Sequence, residues 1–444
     1  MKLSRLIPVC FACLLALAQP AAAATKALVG GMLVDGSGGP PLANSIVLID
    51  GERITAVGQQ GSLAIPADAE VIPTDGMTVL PGLIDLEVRL SELGHGDPKR
   101  WAELYRPLAD RVVMPVAAKA LLMSGVTTAR DIGSPLDASV SIRERIHGLR
   151  IPGPTLSVSG PPIGSEGGAR ARAGRWRVDG PQDARRQVER LVHGGVDFLF
   201  VTGLGGLSDA ELEAIAAAAR EAGLPWHAEI EHDADIARAL NAGAAGLVGL
   251  GTDLAPQLPE AAVAAIRARA ARNEPVPWTA GASALTNYEW LRVNAEPLDD
   301  PRLADGLPPI VAGDIRASLA SLAALDAFET PALRRAVLAS RLRSARTAGA
   351  RWLVGSDAGA AAHLHARATW QEIEDLVLEA GLTPAEAIQA ATLQAATVLG
   401  LERDTGSILP GKFADIIAVR GDPLRHIDRL QDVEVVMKHG LRYR

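Results

Sequence analysis

A chain of 444 residues, 48% hydrophobic and 22% charged, can bury one large core, and its 44 Gly and 29 Pro are ordinary for that length, which excludes collagen-like, low-complexity and disordered classes. Its formal net charge of -8 and the lack of any RNA- or DNA-binding motif exclude a protein that holds nucleic acid by neutralising phosphates with Lys and Arg. One β/α barrel with a small accessory domain is the architecture this length suggests.

The first segment carries Met1, Lys2 and Arg5, then an apolar run from Leu6 to Ala18 and the small residues Ala21 to Ala24. That order predicts a secretory signal over 1–24, cleaved near Ala24. The apolar run is well short of the ~20 residues a membrane span needs, so no span is expected after cleavage. Both cysteines, Cys10 and Cys13, lie inside the segment, so the mature chain would have no disulfide. Loss of Lys2 and Arg5 takes the formal charge from -8 to -10. A periplasmic or secreted location is expected.

Downstream, 45–57 places Asp50-Gly51 between two strand-like runs, the pattern of a tight hairpin. Strand-like runs recur at 415–419 and 433–438. A small β-sandwich made of 25–79 and 404–444 is predicted, with Ile46, Leu48, Ile54 and Val57 covered by the C-terminal strands.

From 80 to 403 short apolar runs alternate with longer helical ones. The runs at 80–85, 125–131, 155–159, 196–201, 224–229, 245–248, 276–279 and 352–357 read as strands. Ser208 with Glu211, and Thr383 with Pro384 and Glu386, read as helix caps. In the first of those helices Leu212, Ile215, Ala219 and Ala222 are expected to line one face. The alternation predicts an α/β fold: a (β/α)8 TIM-like barrel over 80–403, with the small β-sandwich formed by the N- and C-terminal segments.

The run Val79-Leu80-Pro81-Gly82-Leu83-Ile84-Asp85 resembles the start of the first barrel strand in the amidohydrolase superfamily, in the branch of imidazolonepropionase and the Xaa-Pro dipeptidase-like and dihydroorotase-like enzymes. Gly355-Ser356-Asp357-Ala358-Gly359 is similar to that family's eighth strand, and 406–415 to its return into the sandwich. The resemblance covers almost the whole mature chain. It implies one or two divalent metals, usually zinc, at the C-terminal mouth of the barrel, where bound water is activated to attack an amide or similar carbon. The implied ligands are a His-x-His on the first strand, a carboxylated lysine or acid on the fourth, histidines on the fifth and sixth, and an Asp on the eighth.

Matched residue by residue, the set is mostly replaced. Glu87 and Arg89 stand at the His-x-His, Phe200 at the lysine and Gly249 at the sixth-strand histidine; His227 and Asp357 remain. Asp357 is the expected catalytic residue, and Glu87, Arg89, His227, His363 and His365 are the expected substrate-binding residues. Asp357 can also be read as capping the following turn, and His227 as a wall of the pocket. Glu87, His227 and Asp357 would make a three-ligand set. Arg89 speaks against it, since an always-charged guanidinium would sit where a dication belongs. No metal site is therefore assigned, and zinc is expected only if the site still functions. A sharper expectation is that Arg89 replaces the metal with its own charge, reaching Glu87, Asp357 or both.

The loop 164–177, with Arg170, Arg172, Arg175, Arg177 and Trp176, should hang over the same mouth, as a solvated loop or as a lid that recognises a carboxylate or phosphate. Two functions are expected: a hydrolase of carbon–nitrogen bonds in a small-molecule substrate, acting on non-peptide or dipeptide amides, or a non-catalytic periplasmic binding or scaffolding protein.

Overall fold

Alternation of apolar and polar side chains along short strands decides which residues face helices and which face the strand-lined interior. In the computed structural model, which describes residues 25–165, 174–291, 307–319 and 331–444, the strands between Leu83 and Leu353 fall in two parallel sheets. Leu83–Val88, Val126–Asp131 and Thr155–Val158 make a three-stranded sheet. Leu199–Thr202, Trp226–Glu229, Gly246–Val248, Val276–Thr279 and Ala350–Leu353 run side by side in a seven-stranded one, completed by the short pieces Ile163–Gly164 and Trp176–Arg177. Parallel neighbours cannot be joined by a hairpin, and helices supply the long connections. Residues 1–24, with the expected signal, and Arg170 and Arg172 of the expected mouth loop lie outside the described residues.

The two sheets meet on both flanks through a few main-chain bonds. On one side Leu86 N donates to Val354 O at 2.9 Å, Asp357 N to Glu87 O at 2.8 Å and Arg89 N to Ala358 O at 2.8 Å. On the other, Asp197 N donates to Val158 O at 2.8 Å. The result is a mixed α/β fold with parallel sheets.

Ile84, Leu86 and Val88 point into the large core shared with the helices, as do Leu199, Val201, Trp226 and Ala228. Their neighbours point the other way. Phe198, Phe200, Ile132 and Val248 form a small separate apolar cluster, so Phe200, at the position of the implied lysine, brings no charge.

Both expected helix starts are capping boxes, at Ser208 with Glu211 and at Thr383 with Glu386. Leu212, Ile215 and Ala219 are buried, but Ala222 is exposed. The helix ends there, with Gly223 in the left-handed conformation as its C-cap, so the last turn leaves the core. The run expected at 352–357 is strand only as far as Leu353, and Asp357 lies in the turn beyond it, at φ 57.

The chain ends build two further sheets. One orders Arg53–Gln59, Ser45–Asp50, Lys26–Val29 and Glu70–Pro73; the other orders Leu441–Arg442, Val433–Lys438, Ile416–Arg420, Met77–Pro81 and Met32–Leu33. They share a core in which Leu28, Val47, Ile49 and Ile54 meet Val79, Ile416, Ala418 and Met437. Ile54 and Val57 belong to it as expected. Ile46 and Leu48 do not: with Ala27 they form a cluster on the opposite face, because the register puts Val47 and Ile49 inward. The hairpin pairs Asp50 with Arg53, so its two loop residues are Gly51 and Glu52, one position on from the expected Asp-Gly. Among the described residues no helix is long and apolar enough to cross a membrane.

Candidate functional site

The candidate site is organised by Asp85, which ends the run that resembles the family's first strand and was not among the expected site residues. Its carboxylate accepts from Ser356 Oγ at 2.6 Å, Thr369 Oγ1 at 2.7 Å and Ser356 N at 3.0 Å. Burial pushes the Asp85 pKa up, and these donors oppose the rise. The serine of the Gly-Ser-Asp run thus anchors its turn to the first strand, and Ala358 N donates back to Ser356 Oγ at 3.2 Å. Gly359, at φ 101, is required here, since a Cβ would lie 2.5 Å from Arg89 O.

That turn aims Asp357 at Arg89. Arg89 Nε donates to Asp357 Oδ1 at 2.5 Å and Nη2 to Oδ2 at 2.9 Å, a two-point pair, while Nη1 reaches Glu92 Oε2 at 3.4 Å. Burial by itself would lower the Arg89 pKa, but the negative charges of Asp357 and Glu92 outweigh it and raise it. Glu87, two residues earlier on the same face, is 1% exposed and accepts from Thr279 Oγ1 at 2.9 Å. Of the two acids Arg89 was expected to reach, Asp357 receives the two-point contact.

His227 lies deeper, against a second arginine that sequence reasoning missed. Arg130 Nη1 is 2.9 Å from His227 Nε2 and 3.2 Å from Nδ1, and Arg130 Nε donates to Leu86 O at 2.7 Å. The His227 ring stands edge-on to Phe198 at 5.6 Å. Burial first, and the Arg130 charge second, hold the imidazole well below its ordinary pKa, so it is neutral. Burial pushes Arg130 itself down to about 10. Gly246 on the next strand makes room, since a Cβ there would sit 2.8 Å from His227 Nδ1. Thr128 and Arg130 alternate with outward Ala129, so the period-2 pattern was the signal that could have found Arg130.

His363 and His365 are carried just past the turn and are buried, with burial pushing their pKa values down to about 4 and about 3. Both are neutral imidazoles packed into protein. Asp131, also missed, accepts from Leu90 N at 2.9 Å and Ser134 Oγ at 3.0 Å, and burial pushes it up to about 7. In the described part of the expected mouth loop, Arg175 Nη1 donates to Ser165 O at 2.9 Å and Nη2 stands 3.8 Å from Glu231 Oε1. Arg190 lies over the Trp176 ring at 4.3 Å, so one face of that ring is already covered.

A metal at this site would need Glu87, His227 and Asp357 together. Both oxygens of Asp357 are taken by Arg89, both ring nitrogens of His227 lie within 3.2 Å of the Arg130 guanidinium, and Glu87 holds Thr279. Among the described residues no group of three His, Cys, Asp or Glu could hold a metal ion. A dication would have to displace two fixed cations, so the residues present do not fit one.

The sequence pattern of the amidohydrolase family matches residues 78–442. No curated protein matches the sequence. Among solved structures, a putative prolidase from Bifidobacterium longum is 25% identical, with a TM-score of 0.72 over 95% of this chain and 95% of that one. An amidohydrolase is 27% identical, with a TM-score of 0.72 over 94% of this chain and 98% of that one. A Xaa-Pro dipeptidase with methionine in its active site, 24% identical, has a TM-score of 0.71 over 95% of this chain and 100% of that one, a likeness of fold.

Proposed function

We propose, for a chain that belongs to the amidohydrolase family, that the mouth works without a resident metal, as a binding site for a small organic molecule, with the charge of Arg89 in the place of the ion. The observation that carries this reading is the two-point contact between Arg89 and Asp357. A buried acid left without a counter-charge costs several kcal/mol, and a guanidinium compensates it at every accessible pH. With His227 neutral and Phe200 apolar, the interior has no other cation at the family's ligand positions. On this reading the chain is a non-catalytic binding or scaffolding protein, exported by residues 1–24 to the periplasm or beyond.

The same proposal takes the two parallel sheets as one closed (β/α)8 barrel and the terminal sheets as a β-sandwich. The main-chain bonds on both flanks support the first, and the shared core of Val47, Ile54, Ile416 and Met437 supports the second.

The likeness to a solved prolidase and a solved amidohydrolase favours a second reading, a hydrolase of carbon–nitrogen bonds in amides. Elemental analysis of the purified full chain, paired with the stability of Arg89→Ala, separates the two. Substoichiometric zinc and a destabilised variant are expected. About one or more tightly bound zinc per chain, with Arg89→Ala no less stable, would restore the hydrolase.

A further inference from the structure

Arg130 is 2% exposed, and its hydrogen bonds use Nε, to Leu86 O, and Nη1, to His227. Among the described residues no carboxylate pairs with it and no protein atom accepts from Nη2. Asp85 and Glu87 act on it only as charges at a distance. A buried guanidinium without an anion is an expensive arrangement unless something else supplies the charge.

The space beside it has a definite shape. A cavity of about 240 Å³ is lined by Arg130, Thr128, Ser157, Phe198, Leu156 and Leu399, among others. Thr128, 1% exposed, has its Oγ1 without a hydrogen-bond partner on the same lining. Asp197 stands on the lining too, but its Oδ2 is held by Arg143 Nη1 at 2.8 Å and by Val158 N at 2.8 Å. The rest of the wall is mostly apolar, from Phe198, Leu156, Pro225, Val398, Leu399 and Leu401, with Thr155, Ser157 and the neutral His227 between them.

The cavity opens away from the Arg89–Asp357 pair. Its lining includes Thr155, which begins a strand, and Asp197 and Pro225, which precede strands, so it enters from the N-terminal ends of the parallel strands. It shares Thr128, Thr155, Leu156 and Leu401 with a wider cleft of about 540 Å³ that reaches Phe413 and His439 of the terminal segment. A small molecule therefore has a route to Arg130 that does not pass the mouth.

We infer that this cavity is a second binding site, for a small aliphatic monocarboxylate whose head meets Arg130 Nη2 and Thr128 Oγ1 and whose tail lies against Leu156, Phe198 and Leu399. One guanidinium and one hydroxyl match a carboxylate, which takes charge-assisted bonds on its oxygens. A phosphate dianion would keep part of its charge unpaired against apolar walls. The volume lies just under the roughly 300–1,000 Å³ of drug-sized sites, which suits a short chain. The site does not depend on the reading of the mouth, whose zinc content is a separate measurement.

Isothermal titration of the full chain with sodium butyrate tests it. Saturable one-to-one binding is expected, weakened roughly tenfold or more in Arg130→Met, and abolished in Leu399→Trp, which fills the cavity. Thr128→Val should weaken it by a smaller factor, and Leu399→Trp and Thr128→Val carry the test should Arg130→Met fail to fold. Absence of saturable binding, unchanged affinity in the folded variants, or tighter binding of inorganic phosphate than of butyrate would overturn the site.

Discussion

Arg89 and Asp357, 268 residues apart in sequence, hold each other through two hydrogen bonds at the seam where the first parallel strand meets the turn after the last. The main chain closes the same seam, with Arg89 N donating to Ala358 O and Asp357 N to Glu87 O. Ion pair and backbone therefore support one another: the bonds fix where the two side chains start, and the pair removes the cost of leaving either charge in a mostly buried place.

Removing one partner should show that cost. Arg89→Met is expected to lower the unfolding free energy in urea by about 3 kcal/mol, the low end of the range for breaking a buried pair, since the Arg89 side chain keeps 13% of its exposure. The double variant Arg89→Met/Asp357→Leu should recover most of the loss, because it leaves no orphan charge. An unchanged unfolding midpoint in Arg89→Met would mean that another group neutralises Asp357.

A basic limb of instability should trace to Glu372. Burial pushes it up to about 8 in the folded chain, above its ordinary value of 4.5, although Ser283 N donates to it at 2.8 Å. From pH 4.5 to 8 the unfolded state releases this proton first, so the group's contribution to stability falls as pH rises through that window. Each pH unit is worth about 1.4 kcal/mol. Glu372→Gln should therefore gain stability relative to the wild type between pH 5 and pH 8 in urea titrations. Asp375, pushed up to about 7 chiefly by burial, adds a slope of the same sign.

The histidines past the turn give the opposite limb. His363 and His365 are pushed down to about 4 and about 3 by burial, below the ordinary 6.5. Below pH 6.5 the unfolded state takes up protons that the folded state refuses, so stability present above that pH is lost as pH falls towards 4. His363→Gln/His365→Gln should flatten this loss when thermal midpoints are compared at pH 4.5, 5.5 and 6.5. A double variant as acid-sensitive as the wild type would place the loss elsewhere.

Ending the chain at 403 should give insoluble protein. The truncation removes Ile416, Ala418 and Met437 from Val47, Ile49 and Ile54, and leaves Met77–Pro81 without its partner Ile416–Arg420. The exposed apolar face and strand edge are then free to associate. Met437→Asp in the full chain should act in the same direction, read as a lower melting midpoint. A soluble truncation with a cooperative melt would show that the two sheets do not depend on each other.

Local signals in the sequence marked most of the parallel strands and the capping boxes at Ser208 and Thr383, because periodicity and cap chemistry act over a few residues, while the runs around Asp85 and Asp357 were marked by the family resemblance. The family resemblance placed His227 at a ligand position, and the period-2 spacing put Glu87 and Arg89 on one strand face. It did not mark Arg130, although that residue alternates in the same way, because one strand read alone does not show which charges meet across the interior. Tertiary structure decided three things. Asp357, rather than Glu87, takes the two-point contact of Arg89, since the turn held by Ser356 on Asp85 sets its direction. Ile46 and Leu48 face away from the C-terminal strands, since a shift of one residue in register exchanges the faces. His227 sits beside a cation and is neutral, a state set by burial and by a strand 97 residues away, neither of which leaves a mark in the residues next to it.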